Sequence, residues 1–469
     1  MGTPAADELH SLACHAKDLL ARAQALLAAI DGLKAAGDKA RADAPIEGLA
    51  KYRAVVKSEE RFLQKLVDNP TTIRGPHVSC SNVPYLAAVW HLICTEPGVT
   101  NVYRTFNYAE TAGEKRRAGV RVDVVAGSGR SWIKVKASSL KGFNNDLNEA
   151  EGLYDDSDED DDSGNRPSTD EFAQADIPIY AQARQLLKAA EQNLHHFERP
   201  AIVMKFLGDE EVDTRILETL QSMGIIIESG QERKLRETDR LLTNIPPVLL
   251  PDPCTNISAS VNLDVTTLIA LVADIAHEKV PSGALDIVPL QLQAEQEKSD
   301  PFLPAVYALL AGREVFTTRT ALRKFVEILC QLGGPTECER ARGLIAAGPH
   351  ADDFMAELNP QHALHDYPAR PIPPIQRPFA RVSVVPDQPS ERFSALLHAT
   401  GAKGRKFQHH HLAVFGTADR RRATTVTANA WIERALVDVG LGGLSIWPHN
   451  PRSLVEQRVR RYKARVGEA

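Results

Sequence analysis

VNLDVTTLIALVADI, residues 261–275, decides how this chain of 469 residues is read. It opens with an apolar run, passes through Asp264 and two threonines, and continues with apolar residues at three- and four-residue spacing. That is a buried strand feeding an amphipathic helix, the repeating unit of an α/β sheet. Asp264 stands at the junction. As a helix N-cap it accepts backbone N–H groups from the Thr266–Thr267 turn. As a metal ligand it offers a carboxylate at the carboxyl end of a strand, where ligands of open α/β sheets gather. Both roles suit the sequence, and they are not exclusive.

Working outward, the second α/β unit runs to the C-terminus. Helices are expected around 302–312 and 318–332. RVSVVPDQPS follows, then a helix at ERFSALLHAT; strands are expected at HLAVFG leading into Thr417-Ala418-Asp419, at TTVTAN (424–429) and at LSIWPHN, with a helix at AWIERALVDVG. Proline-rich IPPVLLPDP (245–253) reads as a linker before this unit, and PARPIPPIQRP (368–378) as an extended exposed segment within it. Towards the N-terminus, residues 5–70 carry helical periodicity throughout and predict an antiparallel helical pair. SNVPYLAAVWHLI reads as a helix, GVTNVYRTFN as a strand, and VRVDVVAGSGRSWIKVKAS as a hairpin turning at Gly-Ser-Gly. Residues 176–230 then alternate helix, strand, helix, strand, which implies a largely parallel layer. The organisation expected is a helical extension over 1–75, an α/β domain over 76–245 with a disordered acidic insertion at 151–170, and a further α/β domain over 255–469.

Composition bounds the function classes. Apolar residues make up 43% and charged residues 25%, as in soluble globular proteins. No apolar stretch approaches the roughly 20 residues of a membrane span, and MGTPAADELHSL lacks a secretory signal pattern. The six cysteines are scattered without a CxxC pair, which suits a reducing compartment and places the chain in cytosol or nucleus. The net charge of −6 conceals an asymmetry. DDSDEDDD (155–162) holds seven acids in eight positions, whereas residues 400–469 hold thirteen Lys/Arg against five Asp/Glu. A basic C-terminal surface attracts phosphate.

Three polar stops follow apparent strands: Asp264, Asp419 and Asn429. Carboxylates converging there suit Mg²⁺ or Mn²⁺, which activates water for phosphodiester hydrolysis. Lys403, Arg405, Lys406, Arg420, Arg421 and Arg422 are the candidate cations for holding a polyanion. Asp419 also reads as a member of a surface turn.

VNLDVTTLIALV resembles the first strand and helix of the PIN-domain-like nuclease superfamily. More closely, VNLDVTTLI (261–269), LGGPTECERA (332–341), VVPDQPSER (384–392), FGTADRRRATTVTAN (415–429) and VDVVAGSGRSWIKV (122–135) resemble the eukaryotic domain of unknown function 1308 family, whose C-terminal domain is grouped with PIN-like folds. The resemblance implies a three-layer α/β domain with a mainly parallel sheet and an acidic Mg²⁺/Mn²⁺ site that cuts RNA. It assigns Asp264 the first acid and Asp419 a later one. Thr427-Ala428-Asn429 stands where that superfamily has threonine–x–aspartate, so the last acid is replaced by an amide. For the second acid Glu327 and Glu339 compete, with Glu337 beside them; Asp387 and Glu391 add acids within a matching stretch. The expected activity is a metal-dependent RNA-cutting phosphodiesterase with an incomplete site. The alternative is a non-catalytic module that binds RNA or a protein partner.

Asp123, Lys134 and Lys136 in the N-terminal hairpin resemble the PD-(D/E)xK nuclease core. Its glutamate is missing, since Trp132 and Lys134 occupy the two positions it would take, and a purely structural hairpin explains the pattern as well. His409-His410-His411 reads as a solvated loop, Gly-Ser-Gly and Leu-Gly-Gly as turns, and Cys338 as an inert thiol.

Overall fold

In a computed structural model, residues 6–40, 46–110, 118–136, 177–206, 214–228, 256–280, 282–358, 378–398 and 408–466 are described. The acidic insertion 151–170, the linker 245–253, most of 368–378, and Lys403, Arg405 and Lys406 lie outside them. The chain is an α/β protein of two units: Met1–Leu194 with Glu198–Asp252, and His195–Phe197 with Pro253–Ala469. No helix among the described residues is long and apolar enough to cross a membrane.

The first unit begins with helices Ala6–Ala40 and Leu49–Asp68. Their apolar stripes do not close on each other alone. Leu26, Ile30, Tyr52 and Val56 share one core with helix Val83–Thr95 and with strand residues Val102, Val124 and Ile133. The five-stranded sheet has the order β1 (Asn101–Tyr108), β2 (Ala118–Ala126), β3 (Ser131–Lys136), β4 (Ala201–Phe206) and β5 (Ile226–Glu228). It is mixed. The hairpin half pairs antiparallel, β1–β2 and β2–β3, and the helix-linked half parallel, β3–β4 and β4–β5. Between β2 and β3 the short turn at Gly127–Gly129 returns the chain at once and forces antiparallel pairing, whereas the crossover helix Pro178–Gln192 permits parallel pairing. That helix covers the other sheet face, packing Ile179, Ala183 and Leu186 against Val122, Trp132 and Met204.

The second unit holds an all-parallel sheet with the order β10 (Ile446–Pro448), β9 (Thr424–Thr427), β6 (Ser260–Leu263), β7 (Glu314–Thr318) and β8 (Ser383–Val385). Val261, Leu263, Val315 and Val426 form a core with Leu268, Val306, Phe325 and Cys338. Asn262 turns to the opposite face, where its amide donates to Thr425 Oγ1 at 3.2 Å and meets the carbonyl of Val414 at 3.5 Å. Helices therefore cover both faces.

HLAVFG, expected as a strand, belongs to helix His409–Arg420. Every residue from Leu412 to Asp419 is buried. A helix buried all round shows the same short apolar run as a central strand, so periodicity does not separate the two. The basic C-terminal segment also folds back, as helix Glu456–Val466. Arg452 and Arg460 are buried and paired with Glu297 and Glu456, and Arg458 pairs with Asp286.

Candidate functional site at the carboxyl edge of the second sheet

Asp264 ends β6 and caps helix Val265–Val272. Its backbone is extended, and the carboxylate turns back to accept the N–H of Thr267 at 2.9 Å. The same oxygen, Oδ1, accepts the hydroxyl of Thr266 at 2.7 Å. Oδ2 accepts the hydroxyl of Thr427 at 2.6 Å and the side-chain amide of Asn429 at 3.3 Å. Thr266 Oγ1 in turn accepts the N–H of Ala428, and Thr427 Oγ1 that of Asn429. The turn after β9 is thereby pinned to the cap of the helix after β6. Only 4% of Asp264 remains exposed.

Thr267 Oγ1 adds a fifth neighbour to the carboxylate at 3.2 Å, but its single proton faces three acceptors. The others are the carbonyl of Val426 at 2.8 Å and His449 Nε2 at 2.9 Å. His449 Nδ1 lies 2.9 Å from the carbonyl of Asn450. Burial lowers the pKa of His449. The neutral ring then donates from Nδ1 to Asn450 and accepts at Nε2 from Thr267.

The charge of Asp264 is felt by two imidazoles, His449 and His410, and His410 in turn feels Lys324. Burial, chiefly, lowers the pKa of His410 and pushes that of His411 down to about 4, so both rings are neutral at pH 7. The ring of His411 meets Trp431 edge-on, with centroids 5.4 Å apart. Trp431 is 41% exposed, unusual for so large an apolar ring. Sequence reasoning missed Trp431, His449 and Lys324, and it read His409-His410-His411 as a solvated loop, whereas the tract forms the first turn of helix His409–Arg420.

The remaining candidate acids do not join Asp264. Asp419 stands near the end of helix His409–Arg420, five residues before β9 begins, at the amino edge of the sheet. There Arg392 clamps it through both carboxylate oxygens, one at 2.7 Å, and Ser390 donates to it. Arg421 lies at the same edge, pairing with Glu314 at the start of β7, so the Arg420–Arg422 run is at the end opposite Asp264. Glu339 pairs with Arg342, and Glu327 with Lys324 at 2.9 Å. Glu337 meets the N–H of Asp274, beyond the far end of helix Val265–Val272 and so ~12 Å along it from Asp264. Asp387 does reach the carboxyl edge, where it accepts the N–H and hydroxyl of Thr320. It follows β8, two strands and ~10 Å from β6.

A hard divalent cation needs several oxygens within ~2.6 Å of one point. Here the carboxylate already has two short-range donors on each oxygen, and its titratable neighbours are imidazoles. Among the described residues no group of three His, Cys, Asp or Glu side chains is placed to hold a metal ion. The residues present do not fit the Mg²⁺ or Mn²⁺ expected from the sequence.

Residues 261–366 and 375–463 match the family described as protein of unknown function DUF1308. Residues 8–157 match a second family of unknown function, DUF5614. No solved structure matches the chain.

Proposed function

From the premise of a DUF1308-family match across the C-terminal unit, we propose that this unit is a PIN-like, non-catalytic RNA-binding module whose acidic site has become a structural lock. The observation that carries this reading is the closure of the Asp264 carboxylate. Four donors from Thr266, Thr267, Thr427 and Asn429 satisfy it inside the fold. Metal entry would break at least the Thr427 and Asn429 bonds, at a site where no second carboxylate among the described residues supplies compensating charge.

The same edge offers what single-stranded RNA uses. Trp431, half exposed and braced by His411, is a stacking surface. Lys324, near His410 and paired at the surface with Glu327, supplies a half-exposed cation that phosphate would have to share with that carboxylate. Asn429 and the neutral imidazoles add donors and acceptors for base edges.

The test joins metal binding, RNA binding and RNA cleavage. Calorimetry with Mn²⁺ should give the same heats for the wild type and Asp264→Asn. Anisotropy with a labelled single-stranded RNA should show affinity falling about tenfold in Trp431→Ala, in line with the loss of one stacked base. RNA cleavage that needs Mn²⁺ and vanishes in Asp264→Asn would replace this reading with the nuclease.

A further inference from the structure

The arginines of the second unit divide by what they touch. Many are held by carboxylates, as Arg340 is by Asp274, Arg392 by Asp419 and Arg452 by Glu297. Arg319, Arg323 and Arg434 are different. All three are exposed, and none forms an ion pair or a hydrogen bond among the described residues.

The fold gathers these three at one edge. β9, β6 and β7 are consecutive in the parallel sheet, with Asp264 at the carboxyl end of the middle strand. Arg319 is the residue after β7, and Arg323 follows it one turn along helix Arg319–Leu332. Arg434 lies in the first turn of helix Ile432–Asp438, which follows β9. Unpaired arginines therefore flank the Asp264 turn on both sides, at the edge where ligands of open α/β sheets gather. The ends of β7 and β9 are two strand spacings, ~10 Å, apart.

Two of the three side chains are also braced. Arg319 lies 5.3 Å and Arg323 5.9 Å from the centre of the Phe354 ring. A guanidinium stacked on an aromatic face keeps its N–H groups at its rim, free for phosphate, and is already partly ordered. Four positions apart on one helix, the two residues have Cβ atoms ~6 Å apart. Asp387 and Glu327 do not neutralise them, since Thr320 holds the first and Lys324 the second. Between the flanks, the Asp264 carboxylate is closed off by its own donors. Unpaired cations on either side of a closed centre suit an extended polyanion, which can touch both, better than a single phosphate, which cannot.

We propose that Arg319, Arg323 and Arg434 hold the phosphate backbone of a single strand laid across the ends of β7, β6 and β9. This rests on the RNA-binding reading and deepens it: the ligand is a strand of several nucleotides spanning the edge, with its phosphates on the two flanks and a base on Trp431.

Anisotropy with a labelled 12-nucleotide oligouridylate, repeated over a series of KCl concentrations, is the test. Log affinity falls against log salt by about 0.7 for each phosphate neutralised on a single strand. Arg319→Gln/Arg323→Gln should make that slope shallower by about 1.4 and Arg434→Gln by about 0.7. Melting temperatures should hold, because all three side chains are exposed. Trp431→Ala should weaken binding with the slope unchanged, since stacking releases no counterions. Lys279→Gln removes an exposed cation beyond the far end of helix Val265–Val272 and should alter neither quantity. A dinucleotide should bind more than about tenfold more weakly than the 12-mer, having too few phosphates to reach both flanks. A wild-type slope in the arginine variants, with Trp431→Ala still weakened, overturns this phosphate path and leaves the RNA reading standing. A duplex of the same length bound as tightly as the strand overturns the single-strand assignment. Absence of saturable binding by the wild type overturns the RNA reading and this inference together.

Discussion

At the scale of single residues, the aspartates that look alike in the sequence are told apart by their donors. Asp264 is bound by hydroxyl, amide and backbone N–H groups, Asp419 by a guanidinium, and Asp123 by an ammonium and a phenol. The cap role of Asp264 was legible, because Asp-x-x-Thr before an apolar run is an N-cap signature. The Asn429 departure was legible too, as an amide where an acid was expected. What the sequence did not carry was the partner of each acid, since Arg392 and Asp419 are 27 positions apart. Replacing Asp264 by alanine removes the cap and strands the Thr266, Thr427 and Asn429 donors. We expect a loss of about 2–4 kcal/mol, the sum of a cap and one or two buried unpaired donors, read as a lower urea midpoint.

Glu337 provides the residue-scale pH test. Its carboxylate accepts N–H groups from Gly334, Asp274 and Val455 at 3.0–3.1 Å and so caps three chain segments at once. Burial nevertheless raises its pKa from 4.5 to about 7, against the opposing effect of those bonds. The folded pKa exceeds the unfolded one, so the folded chain keeps a proton that the unfolded chain releases between those values. The stability Glu337 contributes is therefore complete below pH 4.5 and is lost as pH rises to 7, by about 3 kcal/mol in all. Glu337→Gln cannot titrate. Urea melts at pH 5 and pH 8 should show the wild type losing stability relative to the variant as pH rises; a constant difference would refute the assignment.

At the scale of elements, one misreading is instructive. Leu412-Ala413-Val414-Phe415 looks like a central strand, yet it lies in a helix whose buried positions run without a gap to Asp419. Gly416 shows how closely that helix is approached. A Cβ there would lie 2.7 Å from Pro389 Cβ and 2.8 Å from Phe393 Cβ. Alanine is better than glycine in a helix by about 1 kcal/mol. Overpacking against a proline ring and a fully buried phenylalanine costs about 1–3 kcal/mol. The packing term wins, and Gly416→Ala should lower the melting temperature by several degrees, although propensity alone predicts a rise.

At the scale of the whole molecule, net charge misled because a sequence counts charges but not partners. Much of the basic surplus of residues 400–469 is spent internally, Arg452 on Glu297, Arg460 on Glu456, Arg458 on Asp286 and Arg421 on Glu314. The alternation of elements, by contrast, carried the α/β class in both halves, and only the antiparallel half of the first sheet departed from it. The second unit draws its cores from Ile257 to Tyr462, and the first unit draws its own from Leu9 to Ile227. Among the described residues neither set borrows a residue from the other, the property expected of an autonomously folding domain. Residues 253–469, the second unit without its short His195–Phe197 segment, should therefore unfold in one cooperative urea transition when expressed alone, with slow amide exchange in β6 and β9. Residues 253–450 should not. They lack helix Glu456–Val466, so Glu337 loses the N–H groups of Val455 and Glu456, and its own N–H loses Glu456 Oε2, leaving a buried carboxylate half satisfied. Equal cooperativity in the two fragments would show that the C-terminal helix decorates the unit instead of closing it.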